Sequence, residues 1–292
     1  MEESKEQLKE SNKKIKNEEF LKDLSKKLKE TGILTYYIKI INIYNEVFKS
    51  IPLSEIKEVL EENKRISELS QDDYNEHFKN EIEMHEAIGN YGWVLGLKLW
   101  LDDAQQIYNL IKQGVEEKKL VKFFFKNKED VFKYFDSFSE KYKQMTNLKL
   151  FFDKALICYK SNDFSSALFY IVAVFERRFE FFIPNYRMTK RAVDGLKKHR
   201  EDYFNQLKTN NKGYDYIKTY YLLYFLPSFS AFCKRLFVDG DEHDFNEGTE
   251  PKYLNRNWFI HGKMTRDVEE YEVLQLLNAL MTLEDAMEYC AH

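Results

Sequence analysis

A guanidinium and an imidazole stand five residues apart, at Arg256 and His261, within the segment Leu254-Asn255-Arg256-Asn257-Trp258-Phe259-Ile260-His261-Gly262-Lys263. Arginine is a permanent cation whose planar fork matches phosphate oxygens. Histidine, with an unperturbed pKa of about 6.5, moves protons near neutrality. The pair suits phosphodiester chemistry on RNA. That chemistry needs a base for the neighbouring 2′-hydroxyl, an acid for the leaving oxygen, and positive charge on the crowded phosphate. It demands no metal and no organic cofactor.

Spacing limits how the pair can work. At about 100° per residue, positions five apart on a regular helix diverge by roughly 140°, whereas Asn257 and His261, four apart, share a face. Asn257 is therefore placed to orient His261. Arg256 must either sit on an irregular opening turn and reach back, or meet a histidine supplied by another subunit.

The elements that must carry these residues are helices. The chain has 292 residues with only 10 Gly and 4 Pro, and is 43% hydrophobic and 16% aromatic. Such a composition excludes a turn-rich all-β fold and a disordered chain, and predicts an all-α protein. Apolar residues recur at helical steps from Ile33 to Phe48, Ser54 to Leu69, Asp72 to Ile88 and Trp93 to Ile111. Beyond them come Leu148 to Lys160, Phe164 to Ile183 (opened by Asn162-Asp163 and closed by Pro184), Tyr214 to Val238, and Asp267 to Tyr289. The polar run from Glu140 to Asn147 reads as a boundary. It separates an N-terminal helical domain, 1–146, from an antiparallel helical bundle, 147–292.

Around this segment the sequence carries a resemblance. Arg256, Asn257, three apolar residues and His261 match the R-x4-6-H motif of the HEPN superfamily, and the wider Asn-Arg-Asn-x-x-Ile-His-Gly string is similar to its abortive-infection-type branch. Ala167 to Phe179 resembles an early HEPN helix bearing an inward acidic residue, here Glu176. The resemblance covers roughly residues 148–292. It implies a HEPN-like helical bundle and a metal-independent endoribonuclease acting as a homodimer, with two motifs facing across the interface. His261 would then transfer protons, Arg256 would stabilise the phosphate, and Asn257 would position one or both, with Asn255 and Glu176 in support. It further implies a prokaryotic antiviral defence or toxin effector, with a separate antitoxin or sensor protein as a partner. Two other readings stand beside it. In one, Arg256 pairs with Glu176, His261 caps a helix, and the module silently binds RNA, a nucleotide or a protein. In the other, the chain is a helical adaptor.

Charge adds local detail. The 45 basic and 49 acidic residues nearly cancel, so any cationic surface is local. Residues 187–212 hold eight basic against three acidic residues. Within that run Lys190, Arg191, Lys197, Lys198 and Arg200, with Lys263 beside the motif, are the expected RNA-backbone contacts. No signal peptide or bilayer-length apolar run occurs, so a cytoplasmic protein without a membrane partner is expected. Cys158, Cys233 and Cys290, odd in number and widely spaced, read as reduced core residues. His77 and His85, near Glu76, Glu81 and Glu83, read as a solvated helix face rather than a metal site. The run from Asp239 to Glu250 fails as a calcium loop because Asp244 stands where the sharp turn needs Gly.

Overall fold

A computed structural model describes residue 65 and residues 69–96, 101–183, 190–209, 221–238 and 250–289. The expected helices at 33–48 and 54–69, the 239–249 stretch of the acidic run and Cys290 lie outside these, apart from residues 65 and 69. Eleven α-helices and no strand occur among the described residues, so the fold is all-α as expected. No described helix is long and apolar enough to cross a membrane.

The helices are α1 Gln71–His77, α2 Lys79–Asn90, α3 Leu101–Lys112, α4 Val121–Phe124 after a 3-10 turn Glu117–Leu120, α5 Lys128–Lys141, α6 Thr146–Lys160 and α7 Phe164–Phe182. They continue as α8 Lys190–Thr209, α9 Leu226–Leu236 after a π-turn Tyr221–Phe225, α10 Arg256–Ile260 and α11 Glu270–Tyr289. Local chemistry sets several ends. Ser70 caps α1 by accepting from the Asp73 amide at 3.1 Å, and Asp163 caps α7 by accepting from the Ser166 amide at 3.1 Å. Asn162, with φ of 60°, makes the reversal that lays α7 antiparallel to α6. Pro227 sits in the first turn of α9, directly after the π-turn.

The compact unit comprises residues 70–206 and 217–292, and the remainder of the chain is assigned to a second unit. Position 146/147, expected as a domain boundary, therefore falls inside one body. The reason is visible at Gly89 on α2. A Cβ there would stand 2.1 Å from the Ser228 carbonyl oxygen and 2.7 Å from the Ala231 Cβ, so α2 and α9 meet backbone to backbone. The run from Trp93 to Gly96, expected to be helical, is not helical. Its amides are satisfied by distant side chains instead: Val94 N–H donates to Asn278 Oδ1 at 2.8 Å and Leu95 N–H to Ser228 Oγ at 3.1 Å.

Helix α11 is the axis of this unit. Of the apolar stripe that helical spacing predicts here, Val268, Leu274, Leu277, Leu280 and Leu283 are buried, while Tyr271 and Met287 are partly exposed. Polar residues of the same helix are buried beside this stripe, each with at least one partner, although Gln275 Oε1 makes no hydrogen bond. Glu272 takes Arg266, Gln275 donates to Tyr91 O at 3.1 Å, and Asn278 holds Val94. Glu284 receives Arg178 and, at 2.8 Å, the Tyr142 hydroxyl. Aromatic rings of α7 and α9, among them Phe175, Phe179 and Phe229, fill the adjoining core.

Candidate functional site

The expected site lies on the 250–266 segment, which is tied at its base, its middle and its tip. At the base, the Glu250 carboxylate accepts from the Thr265 amide at 2.9 Å. Arg266 forms two parallel bonds, at 2.8 and 2.6 Å, to the fully buried Glu272. Burial acts to raise the Glu250 carboxyl, but hydrogen bonds from Thr265 and the Arg266 cation outweigh it and hold that carboxyl below its usual range.

In the middle, Asn255 is 2% exposed and makes bonds in both directions. Its Oδ1 accepts from the amides of Asn257 at 2.9 Å and Trp258 at 3.1 Å, capping the five-residue helix α10. Its Nδ2 donates to the carbonyls of Val238 at 3.0 Å and Arg235 at 3.4 Å, pinning the cap to the end of α9. Arg235 is in turn fixed by the Asn90 carbonyl and the Glu117 carboxylate, each at 2.6 Å.

At the tip, the Gly262 amide donates to Phe259 O at 3.1 Å and the Lys263 amide to Trp258 O at 2.9 Å. These are the paired bonds of a Schellman stop, with Gly262 at a φ of 64° that L side chains resist. The Asn and Gly that flank the motif thus terminate α10 at its two ends.

Between those terminators stand the three residues expected to act. Arg256 Nε donates to Glu176 Oε1 on α7, and Nη1 donates to Asn257 Oδ1 at 3.0 Å. The two charged side chains are similarly sheltered, at 22% and 24% exposure. The carboxylate cancels the net charge of the guanidinium, while two of its five N–H groups are engaged by these bonds. Asn257 Nδ2 also reaches Val238 O at 3.4 Å, so this side chain links Arg256 to the end of α9. His261 closes α10 as an exposed residue whose amide donates to Asn257 O at 3.1 Å. Over the five steps from Arg256 to His261 a helix climbs about 7.5 Å and turns roughly 140° beyond a full revolution. Arg256 therefore occupies the opening turn and faces α7, while His261 stands at the far end of the same short helix.

The expected cationic surface is only partly assembled. Lys197 and Lys198 are exposed on α8, and Lys263 is exposed after α10. Lys190 and Arg191 belong to α8, with side chains outside the described residues. Arg200 departs from expectation. It donates to Asn75 Oδ1 at 2.9 Å, and burial lowers its pKa, so it joins α8 to α1 rather than presenting a free cation. His85 also departs. It is fully buried, not solvated, and its Nδ1–H donates to Leu223 O at 2.7 Å while its ring stacks on Tyr224 at 4.3 Å. Cys158 and Cys233 are free thiols, the first partly exposed and the second buried.

Sequence reading did not find Glu250, Arg266, Glu272, Arg235 or Glu117, which together hold the segment. Glu117 and Arg235 are 118 positions apart, and no local pattern announces such a pair. No protein-family model, curated protein or solved structure matches the chain.

Proposed function

We propose that the protein is a metal-independent endoribonuclease of HEPN type, working as a cytoplasmic homodimer. Its biological setting on this reading is a prokaryotic antiviral defence or toxin system, with a separate antitoxin or sensor protein holding it in check. The supporting observation is the placement of Arg256. A partly exposed carboxylate and Asn257 hold its fork at one end of a doubly capped turn, and an exposed His261 stands at the other. Because the two ends of one copy diverge, twofold symmetry supplies the convergence: Arg256 of one copy faces a phosphate attended by two His261 side chains. One imidazole takes the proton of the 2′-hydroxyl, whose oxygen attacks phosphorus. The bond from phosphorus to the 5′-oxygen breaks, and the other imidazole, as imidazolium, returns a proton to that oxygen. The products are a 2′,3′-cyclic phosphate and a 5′-hydroxyl.

One observation favours a second reading. The Glu176 carboxylate already neutralises Arg256, as expected of a silent HEPN module that binds RNA, a nucleotide or a protein partner. Cleavage of labelled RNA in EDTA separates the two. The nuclease reading expects wild type to cleave and both Arg256→Ala and His261→Ala to lose about a hundredfold or more, the ordinary worth of a general acid or base. Equal activity in all three proteins refutes it. Glu176→Gln keeps the shape, releases the guanidinium from its counter-charge, and is expected to tighten RNA binding.

A further inference from the structure

We infer that the phosphate backbone of the RNA docks in a lysine-rimmed cleft between the 3-10 turn, α4 and the first turn of α11. The cleft has a volume of about 330 Å³ and is ringed by Lys118, Lys119, Lys122, Lys126 and Lys128, with Glu270 as its single lining carboxylate. Its floor includes the buried Phe125, Val131 and Leu274. All five lysines are exposed. Three of them touch carboxylates only loosely: Lys118 to Glu269 at 3.8 Å, Lys119 to Glu116 at 3.8 Å and Lys128 to Glu270 at 3.6 Å. Exposed pairs of that kind contribute little, about 0–1 kcal/mol. Glu270 is further occupied by the Tyr159 hydroxyl at 2.6 Å. No described carboxylate lies within ion-pairing distance of Lys122 or Lys126.

The cleft is thus lined by five lysines against one glutamate, in a protein whose net charge is -4. A polyanion complements that local excess of positive charge, and its counterion release drives binding. Half-exposed Phe123, with Lys122 over its ring at 5.4 Å, adds an aromatic surface at the rim, the combination that tracks single strands. The cleft also shares its supports with the motif. Glu117, next to Lys118, bonds Arg235, whose carbonyl accepts from Asn255. Glu269 and Glu270 follow shortly after Arg266, which closes the motif segment.

The choice of RNA as the polyanion rests on the nuclease reading, and the test keeps the two apart. Fluorescence anisotropy of a labelled single-stranded RNA is titrated with the full chain carrying His261→Ala across a series of KCl concentrations. Lys118→Gln, Lys122→Gln and Lys126→Gln are then combined in that background. A control combines Lys112→Gln, Lys143→Gln and Lys154→Gln, three exposed lysines away from the cleft. The cleft variant is expected to bind about tenfold more weakly, and the slope of log affinity against log salt to fall by about 2, roughly 0.7 per lost phosphate contact. The control is expected to keep the parent slope. Equal losses in both variants, no loss in either, or no RNA binding by the parent overturns the inference. Binding through the cleft without cleavage by wild type refutes the nuclease and leaves the cleft standing. Cleavage by wild type with the cleft variant binding undiminished does the reverse.

Discussion

Replacing Asn255 tests whether the motif segment is held as the geometry says. In Asn255→Ala, α10 loses its cap, which costs about 1 kcal/mol. The Asn257 amide is partly exposed and can turn to water. The Arg235 carbonyl, in contrast, loses a bond from a buried donor, a further cost of about 1–2 kcal/mol. The sum is a destabilisation of about 2–3 kcal/mol. In urea unfolding, with a slope of about 2 kcal/mol per molar, the midpoint falls by about 1 M or more. Asn255→Ser separates the two contributions. Its hydroxyl can still accept from the α10 amides but is too short to reach the end of α9, so it recovers about 1 kcal/mol of the loss. A midpoint for Asn255→Ala within about 0.25 M of wild type, or a Ser variant no better than Ala, refutes the assignment of Asn255 as the double-ended anchor.

Further expectations concern the frame around the site. His85 is buried, which pushes its imidazole down from 6.5 to about 4; the unfolded chain therefore binds the extra proton first as pH falls. Its contribution is intact above about pH 6.5 and is progressively lost toward pH 4, about 3 kcal/mol in all. Stability curves for wild type and His85→Leu should converge across that window, and parallel curves would contradict the burial argument. Gly89→Ala drives a methyl into the Ser228 carbonyl, so a loss of about 2–3 kcal/mol and a lower Tm by calorimetry are expected, and an unchanged Tm would show that the helices are not in backbone contact. Glu284→Gln strands the Arg178 cation in the interior at a cost of about 3–5 kcal/mol, which Arg178→Met in the same chain should partly restore; additive losses in a double-mutant cycle would refute their coupling.

What was legible in the sequence follows the range of the forces involved. Helix α7 was readable almost to the residue, because Asp163 and Pro184 act on their immediate neighbours and the run between them is apolar. The inward stripe of α11 was readable as a period, but its buried polar positions were not. Glu272, Gln275, Asn278 and Glu284 look solvent-facing until Arg266, Tyr91, Val94 and Arg178 are brought to them. The stretch from Trp93 to Gly96 failed for the same reason, since its apolar content suits a helix while its amides are claimed by Asn278 and Ser228. The placement of a domain boundary at 146/147 relied on a polar run, which marks the exposed junction of α5 and α6, two helices of one body. At the site, the pairing of Arg256 with Glu176 was reached through the family resemblance, which marked Glu176 as an inward acidic residue, and not through any local pattern. The Schellman role of Gly262 and the two-way grip of Asn255 needed backbone coordinates.

The close approach of α2 to α9 also decides how this chain can be dissected. A fragment beginning at residue 147 would retain every residue of the motif yet discard the strip around Gly89 that shields Ser228 and Ala231. It would equally discard Glu117, the counter-charge of Arg235, and Tyr142, a donor to Glu284. The exposed seam would then comprise an apolar helix flank, an orphaned cation and a Glu284 carboxylate left to Arg178 alone, a surface prone to self-association. The smallest piece that keeps this seam closed starts near Ser70, where the α1 cap begins.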